Sequence, residues 1–217
     1  NGIRIWQILP LTPTDKSGSP YSSPSSSAIN PWFLDVEDLV SDGFISPQRA
    51  AELPGSNLIN TKESFLDFNL ADRRSEKLGP CLRESWSQQS STSQLSFDNW
   101  CRSQNWLEDH VIFMELLKQQ KGLPWWKWPE PLANYKSFAL EDWKRESQNE
   151  LLEHRLIQWH LFRQWKRVRD LAKNLGVQIL GDLPFYVARN SSDTWSNRSL
   201  FSILPNGELD IQSGVPP

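Results

Sequence analysis

Val177-Gln-Ile-Leu-Gly-Asp-Leu-Pro-Phe-Tyr-Val187 decides how the rest of this chain is read. Val177, Ile179 and Leu180 form a short β-branched and aliphatic run, the composition of a buried strand. The run ends on Gly181 and Asp182, and Pro184, which has no N–H to give to a ladder, stops its continuation. α/β barrels place substrate-contacting and catalytic groups at the C-terminal ends of their strands, on the rim formed by the βα loops. Asp182 is therefore the first candidate for chemistry. The alternative is a turn carboxylate that accepts backbone N–H bonds, and the residues alone weigh the two evenly.

The preceding residues fit a β/α layer fold. From Glu150 to Leu175, apolar residues recur at Leu152, Leu156, Trp159, Phe162, Trp165, Val168, Ala172 and Leu175, steps of three or four that lay one stripe along a helix. Glu150 and Glu153 near its start and Lys166, Arg167, Arg169 and Lys173 near its end complement the helix dipole. Gly176 can take the left-handed conformation that closes it. The run Ile3-Arg-Ile-Trp-Gln-Ile-Leu9 supplies a second strand. The fold class is α/β.

Between the strands the composition changes. Pro10 to Ser27 is rich in Ser and Pro, which on composition alone reads as a linker. It leaves the strand end equivalent to that of Asp182, however, where loops carry substrate contacts on a rigid scaffold. A short acidic helix is expected around Glu37 to Val40, ended by Gly43. Residues 46–149 read as a mostly helical insertion subdomain, with one helix running from Ser96 or Asp98 through Trp100, Leu107, Val111, Met114 and Leu117 to Gly122. Leu123-Pro-Trp-Trp-Lys-Trp-Pro-Glu-Pro131 is an aromatic loop, and Phe201 to Ile211 a hairpin turning at Asn206-Gly207. Only two barrel strands are counted, whereas a closed barrel needs eight and about 250 residues. The expectation is a partial (β/α)8 TIM barrel over residues 1–217, incomplete as a catalytic domain, with the helical subdomain inserted in it.

A formal net charge of −3 and a pI near 5.7 argue against a nucleic-acid surface. No stretch approaches the roughly 20 apolar residues that cross a bilayer, and no signal-peptide pattern opens the chain, so no membrane partner is expected. The reading is a cytoplasmic protein, or one of the plastid stroma if a transit segment lies upstream. Cys81 and Cys101 have no metal-ligand or redox spacing and read as reduced thiols. Twelve tryptophans are a heavy load. Trp159 and Trp165 fall on the helix stripe, but Trp125, Trp126, Trp128 and Trp195 sit in loop-like contexts, where aromatic faces can stack on sugar rings.

The sequence has no His-Glu-x-x-His, Gly-x-Ser-x-Gly, P-loop or dinucleotide glycine pattern. His110, His154 and His160 fall in helices at spacings that assemble no metal site. No metal or cofactor is expected. Arg167-Val-Arg-Asp170 mimics a catalytic Arg-x-Asp pattern but lies inside a helix. Asp193 reads as a turn cap.

Taken in order, Trp6-Gln-Ile-Leu-Pro-Leu11, Ser19-Pro-Tyr21 with Asn30-Pro31, Trp106-Leu-Glu-Asp109, Pro124-Trp-Trp-Lys-Trp-Pro129, Phe162-Arg-Gln-Trp165, Gly181-Asp-Leu-Pro-Phe-Tyr-Val-Ala188 and Gly214-Val-Pro-Pro217 make the chain resemble the amylomaltases, or disproportionating enzymes, which are 4-α-glucanotransferases. The resemblance implies retaining transfer of a segment of a 1,4-α-glucan to the 4-hydroxyl of glucose or another glucan. Such chemistry uses two carboxyl groups about 5 to 5.5 Å apart. In this family the nucleophilic Asp, the acid/base Glu and a further Asp lie on later strands, so no catalytic residue is expected in this chain and all three are expected beyond Pro217. By the same resemblance Asp182 and Tyr21, with Ser19 and Pro20, line the site beside the donor sugar, and Gly214, Val215, Pro216 and Pro217 begin a loop that covers the glucan and favours acceptor sugar over water. A maltooligosaccharide is the implied partner, and the piece alone is expected to be inactive. Two departures stand out: Asn190 replaces a usual aspartate, and Ser17-Gly18 replaces a usual glycine and acidic or amide pair. The competing readings are a catalytically silent glucan-binding protein and an amylase-like hydrolase.

Overall fold

Strands β1 (Ile5–Gln7) and β2 (Gln178–Leu180) pair in parallel, with Trp6 opposite Ile179. The N–H of Gln178 donates to the Arg4 carbonyl at 2.8 Å and that of Ile8 to the Leu180 carbonyl at 2.9 Å, extending the ladder at both ends. A parallel pair requires a crossover, and here the crossover is a large helical mass. The computed structural model describes residues 2–56, 67–135, 137–204 and 206–211; Gly214 to Pro217 lie outside them.

The crossover holds α1 (Val36–Ser41), α2 (Pro47–Ala51), α3 (Phe68–Trp86), α4 (Ser91–Ser103), α5 (Leu107–Gln119), α6 (Glu130–Ala133), α7 (Ser137–Glu146) and α8 (Gln148–Asn174); α9 (Ser192–Ser196) follows β2. Local chemistry sets several of these starts. Asp35, Ser46, Asp67 and Ser90 each accept backbone N–H bonds from the first turn of α1, α2, α3 and α4. The end of α8 is a Schellman motif: Gly176, at φ +69°, donates to the Lys173 carbonyl and Val177 donates to that of Ala172. The expected acidic helix and the long helix thus form where the sequence puts them. The expected hairpin is present as an antiparallel bridge between Ile203 and Leu209.

Two apolar cores flank α8. One gathers Leu39 of α1, Leu78 and Leu82 of α3, Phe97 of α4, and Leu156 and Trp159 of α8. There the rings of Phe44, Trp86 and Phe97 meet Trp159 edge-on at 5.5–5.7 Å, the arrangement that aromatic quadrupoles favour. The second gathers Phe113 and Leu116 of α5, Trp125, Trp128, Leu140 of α7, Leu151 of α8 and Trp195 of α9.

Three expectations need correction. The helix expected from Ser96 or Asp98 to Gly122 is two helices, α4 and α5, parted at Gln104–Trp106. No proline or glycine marks the break; Gln104 is extended, at φ −105° and ψ 95°, and Trp106 after it packs against Trp100 and Phe162. The strand run is not buried: Gln178 and Leu180 are exposed and Ile179 is half-buried, because no element covers the β-pair on that side among the described residues. Trp125, Trp128 and Trp195 are core residues rather than sugar platforms, at 1, 5 and 0 % exposure. Each satisfies its indole N–H on a carbonyl, of Arg189, Leu123 and Leu132 respectively.

α3 and α8 approach closely at Gly79, where an added Cβ would sit 2.8 Å from the Glu153 Cβ. Alanine normally gains about 1 kcal/mol over glycine inside a helix. At this position overpacking, with displacement of the Glu153–Arg83 ion pair at 2.7 Å, costs about 1–3 kcal/mol. Gly79→Ala is expected to lower the urea midpoint, and a raised midpoint would show that α3 can move aside freely.

Candidate functional site

The segment from Pro10 to Ser27 is held at many points despite its composition. Asp15 Oδ1 accepts bonds from the Ser17 N–H, the Ser17 hydroxyl and the Ser19 N–H at 2.6–3.0 Å, which together hold its carboxyl below the usual range. Ser17, one of the departures from the family pattern, is thus used in the turn. Ser19 caps the 3-10 turn Pro20–Ser22 by accepting the Tyr21 N–H at 3.3 Å. Pro20 begins that turn, and its carbonyl takes the Thr12 hydroxyl at 2.8 Å. Farther along, the buried Gln158 of α8 makes a two-bond pair with the backbone of Ile29, accepting its N–H at 3.0 Å and donating to its carbonyl at 2.9 Å. Gln164 does the same for Asp35. Two glutamines on one helix thus fix the stretch that returns from the loop.

These anchors bring Tyr21 to the end of β2. Its hydroxyl donates to Asp182 Oδ2 at 2.6 Å, joining residues 161 positions apart. Since ionising Tyr21 would destroy that bond and set two negative charges together, its phenol is pushed above the ordinary tyrosine range. The pair stands on an open surface. Leu183, Phe185 and Tyr186 beside it are exposed, Phe185 almost wholly. A cavity of about 260 Å³ opens between α3, α5 and α8, with Asp72, Glu76 and His110 on its wall. Another of about 470 Å³ lies between β1 and α8, walled by Trp6, Ile8, Trp165 and Val168. Tyr21 and Asp182 line neither.

The sequence reading missed what Asp193 does. Its Oδ2 accepts the Ser26 N–H at 3.0 Å and its Oδ1 the Ser26 hydroxyl at 2.5 Å, while the neighbouring Ser192 N–H donates to the Pro24 carbonyl at 2.9 Å. Its position at the start of a short helix read as a cap, and nothing in spacing pointed to a partner 167 residues away. Asn190, the other departure, accepts the Trp125 N–H at 3.2 Å. Arg167 and Asp170 of the decoy pattern are engaged in ion pairs, Arg167 with Asp38 and Asp42, and Asp170 with Lys166. Among the described residues no group of three or more His, Cys, Asp or Glu side chains could hold a metal ion, and no helix is long and apolar enough to cross a membrane.

The glycoside hydrolase family 77 pattern, described as 4-alpha-glucanotransferase, matches residues 1–217. The chain belongs to the 4-alpha-glucanotransferase family. This glucanotransferase-family chain is 33 % identical over 219 residues to a 4-alpha-glucanotransferase of Synechocystis, covering 98 % of this chain and 42 % of the relative. It is 34 % identical to one of Thermus thermophilus, with 100 % and 42 % covered, and 34 % identical to a chloroplastic or amyloplastic one of rice, with 100 % and 36 % covered. The family-77 chain therefore spans about two fifths of the length of these relatives. Its fold is that of an amylomaltase from Streptococcus agalactiae solved in complex with acarbose: the TM-score is 0.84 over 94 % of this chain and 40 % of that one, at 24 % identity.

Proposed function

We propose that the chain forms part of an enzyme that transfers segments of 1,4-α-glucans to glucose or to another glucan, retaining configuration through a covalent intermediate. The observation that carries this reading is the Tyr21–Asp182 contact, which joins two motifs of a transferase family at the end of a parallel strand pair. In this reading β1 and β2 are neighbouring strands of a (β/α)8 barrel, and the mostly helical residues 46–149 are inserted between them. Asp182 accepts sugar hydroxyls, Tyr21 orients Asp182 and packs against the donor, and Ser19 and Pro20 shape the turn that presents Tyr21. Gly214 to Pro217 begin the loop that closes over the glucan and keeps water from the intermediate. The nucleophile and the acid/base lie outside these 217 residues, so the piece expressed alone has no transfer activity. Relatives named from bacteria and from plastids suit a protein of the cytoplasm or plastid stroma.

The test is to incubate the full-length protein with maltotriose, which should yield glucose together with longer maltooligosaccharides. Glucose without elongated products would make it a hydrolase, and binding without products a silent glucan-binding protein. A hydrogen bond to a charged group contributes about 1.5–3 kcal/mol, so Asp182→Ala in that protein is expected to lower kcat/KM roughly 10- to 100-fold. An unchanged kcat/KM would remove Asp182 from the sugar site.

A further inference from the structure

We propose that Asp193 is a positioning residue, which locks the Ser-rich loop to the segment after β2 and so keeps Tyr21 on Asp182. Ser26 is exposed and Asp193 half-buried, so the tie does not follow from burial alone. It follows from complementarity. Ser26 offers two donors, a backbone N–H and a hydroxyl, and a carboxylate offers two acceptor oxygens and no donor; each oxygen takes one bond, both charge-assisted.

The simpler role, capping α9, belongs to a different residue. Ser191 accepts the Thr194 N–H at 3.3 Å and is the N-cap, which leaves the Asp193 oxygens turned to Ser26. Asp193 is itself well placed to anchor. Two residues on, Trp195 is fully buried and bonded to the Leu132 carbonyl, so the short helix that carries Asp193 is pinned to the second core. The loop is then fixed on both sides of Tyr21: by Thr12 on the Pro20 carbonyl, and by the Ser192 and Asp193 bonds to Pro24 and Ser26. Without the Asp193 carboxylate, the second anchor keeps a single backbone bond. Tyr21 sits between these anchors, with its hydroxyl committed to Asp182.

The geometric part of this proposal is independent of the proposed activity; only its consequence for sugar binding rests on that reading. The experiment therefore reads Tyr21 directly. With tyrosine labelled at Cζ, the chain gives signals from Tyr21, Tyr135 and Tyr186, and Tyr21→Phe assigns the first. Tyr21 should titrate above the ordinary value of about 10, and Asp182→Asn should bring it down. Asp193→Ala should shift it in the same direction, with Ser26→Ala and Asp193→Asn giving smaller shifts, since each retains the backbone bond to Ser26. Should Asp193→Ala fail to fold, the two milder variants decide. Asp182→Asn moving the Tyr21 titration while every Asp193 and Ser26 variant leaves it in place would overturn the positioning role. No shift with Asp182→Asn would instead remove the Tyr21–Asp182 contact on which the proposed sugar site depends. In the full-length protein, Asp193→Ala should raise KM for the donor glucan about tenfold more than it lowers kcat, and should add nothing in a Tyr21→Phe background, because coupled residues are not additive. Additive losses would assign Asp193 a role unrelated to Tyr21.

Discussion

Trp195→Ala is expected to remove about 4 kcal/mol of stability. Truncating a buried tryptophan typically costs about 3–5 kcal/mol, because its transfer free energy is lost and the cavity collapses only in part. Three features of Trp195 put it well inside that range. Its side chain has no exposure. It meets Phe113, Trp128 and Tyr135 at 4.7–5.8 Å between ring centroids, so several neighbours lose packing together. Its indole N–H donates to the Leu132 carbonyl at 2.8 Å, and truncation loses that buried bond although the Tyr135 N–H still donates to the same carbonyl. With a urea slope of about 2 kcal/mol/M, the midpoint should fall by about 2 M. A fall under about 0.5 M would mean that the second core closes over the vacancy. Val168→Ala, on the half-covered outer side of α8, is the matched control and should cost far less.

Acid should unfold the protein earlier than its carboxylates alone require. His110 and His160 are buried, at 3 and 0 % exposure, and burial holds the pKa of each near 3, far below the ordinary 6.5. His154 adds to the effect on His110. At His160, Arg163 donates to Nδ1 at 2.8 Å, so that nitrogen must accept and the neutral ring carries its proton on Nε2. Arg163 and Arg167 oppose a positive charge there and Asp42 favours one, but burial and the arginines win. Both folded-state values are depressed, so the unfolded chain binds more protons between pH 6.5 and about 3. The stabilisation is complete above pH 6.5 and is lost as pH falls through that window. Each histidine then costs up to about 1.4 kcal/mol per pH unit once pH is well below 6.5, roughly 3 kcal/mol for the pair between pH 6.5 and 5. Asp42 and Glu115, also depressed, act in the same sense at lower pH. Urea midpoints measured from pH 7.5 to 5 check this. A flat profile would mean that the histidines protonate without unfolding, and a His110→Gln, His160→Gln double variant should flatten it.

Much of the architecture was legible because it is written in local chemistry. The stripe from Leu152 to Leu175, the acidic start of α1 and the hairpin at Asn206-Gly207 each depend on residues close in sequence. The misreadings share the opposite property. The parting of α4 from α5 lies at the extended Gln104 and goes with Trp106 seating against Phe162, over fifty residues away. Trp125, Trp128 and Trp195 looked like loop aromatics because Pro-, Ser- and Asn-rich segments resemble surface; they pack into the second core, and carbonyls of Arg189, Leu123 and Leu132 take their N–H groups so that burial leaves no donor unpaired. Strand composition identified β1 and β2 but could not reveal their exposure, which depends on what packs against them. In the candidate site, Tyr21 and Asp182 were visible through family motifs. Asp193 was not, since a carboxylate at the start of a helix looks the same whether it caps that helix or ties down a distant loop.

The 161-residue separation of Tyr21 and Asp182 also has a meaning for the order of assembly. Closing a loop of that size costs about 4–5 kcal/mol of chain entropy, more than one exposed hydrogen bond returns. The contact cannot nucleate anything; it forms after α3, α5 and α8 have packed and the strands have come together. Damage in either core therefore reaches the Tyr21–Asp182 pair without touching it, and Tyr21 reports on whether the whole crossover has folded.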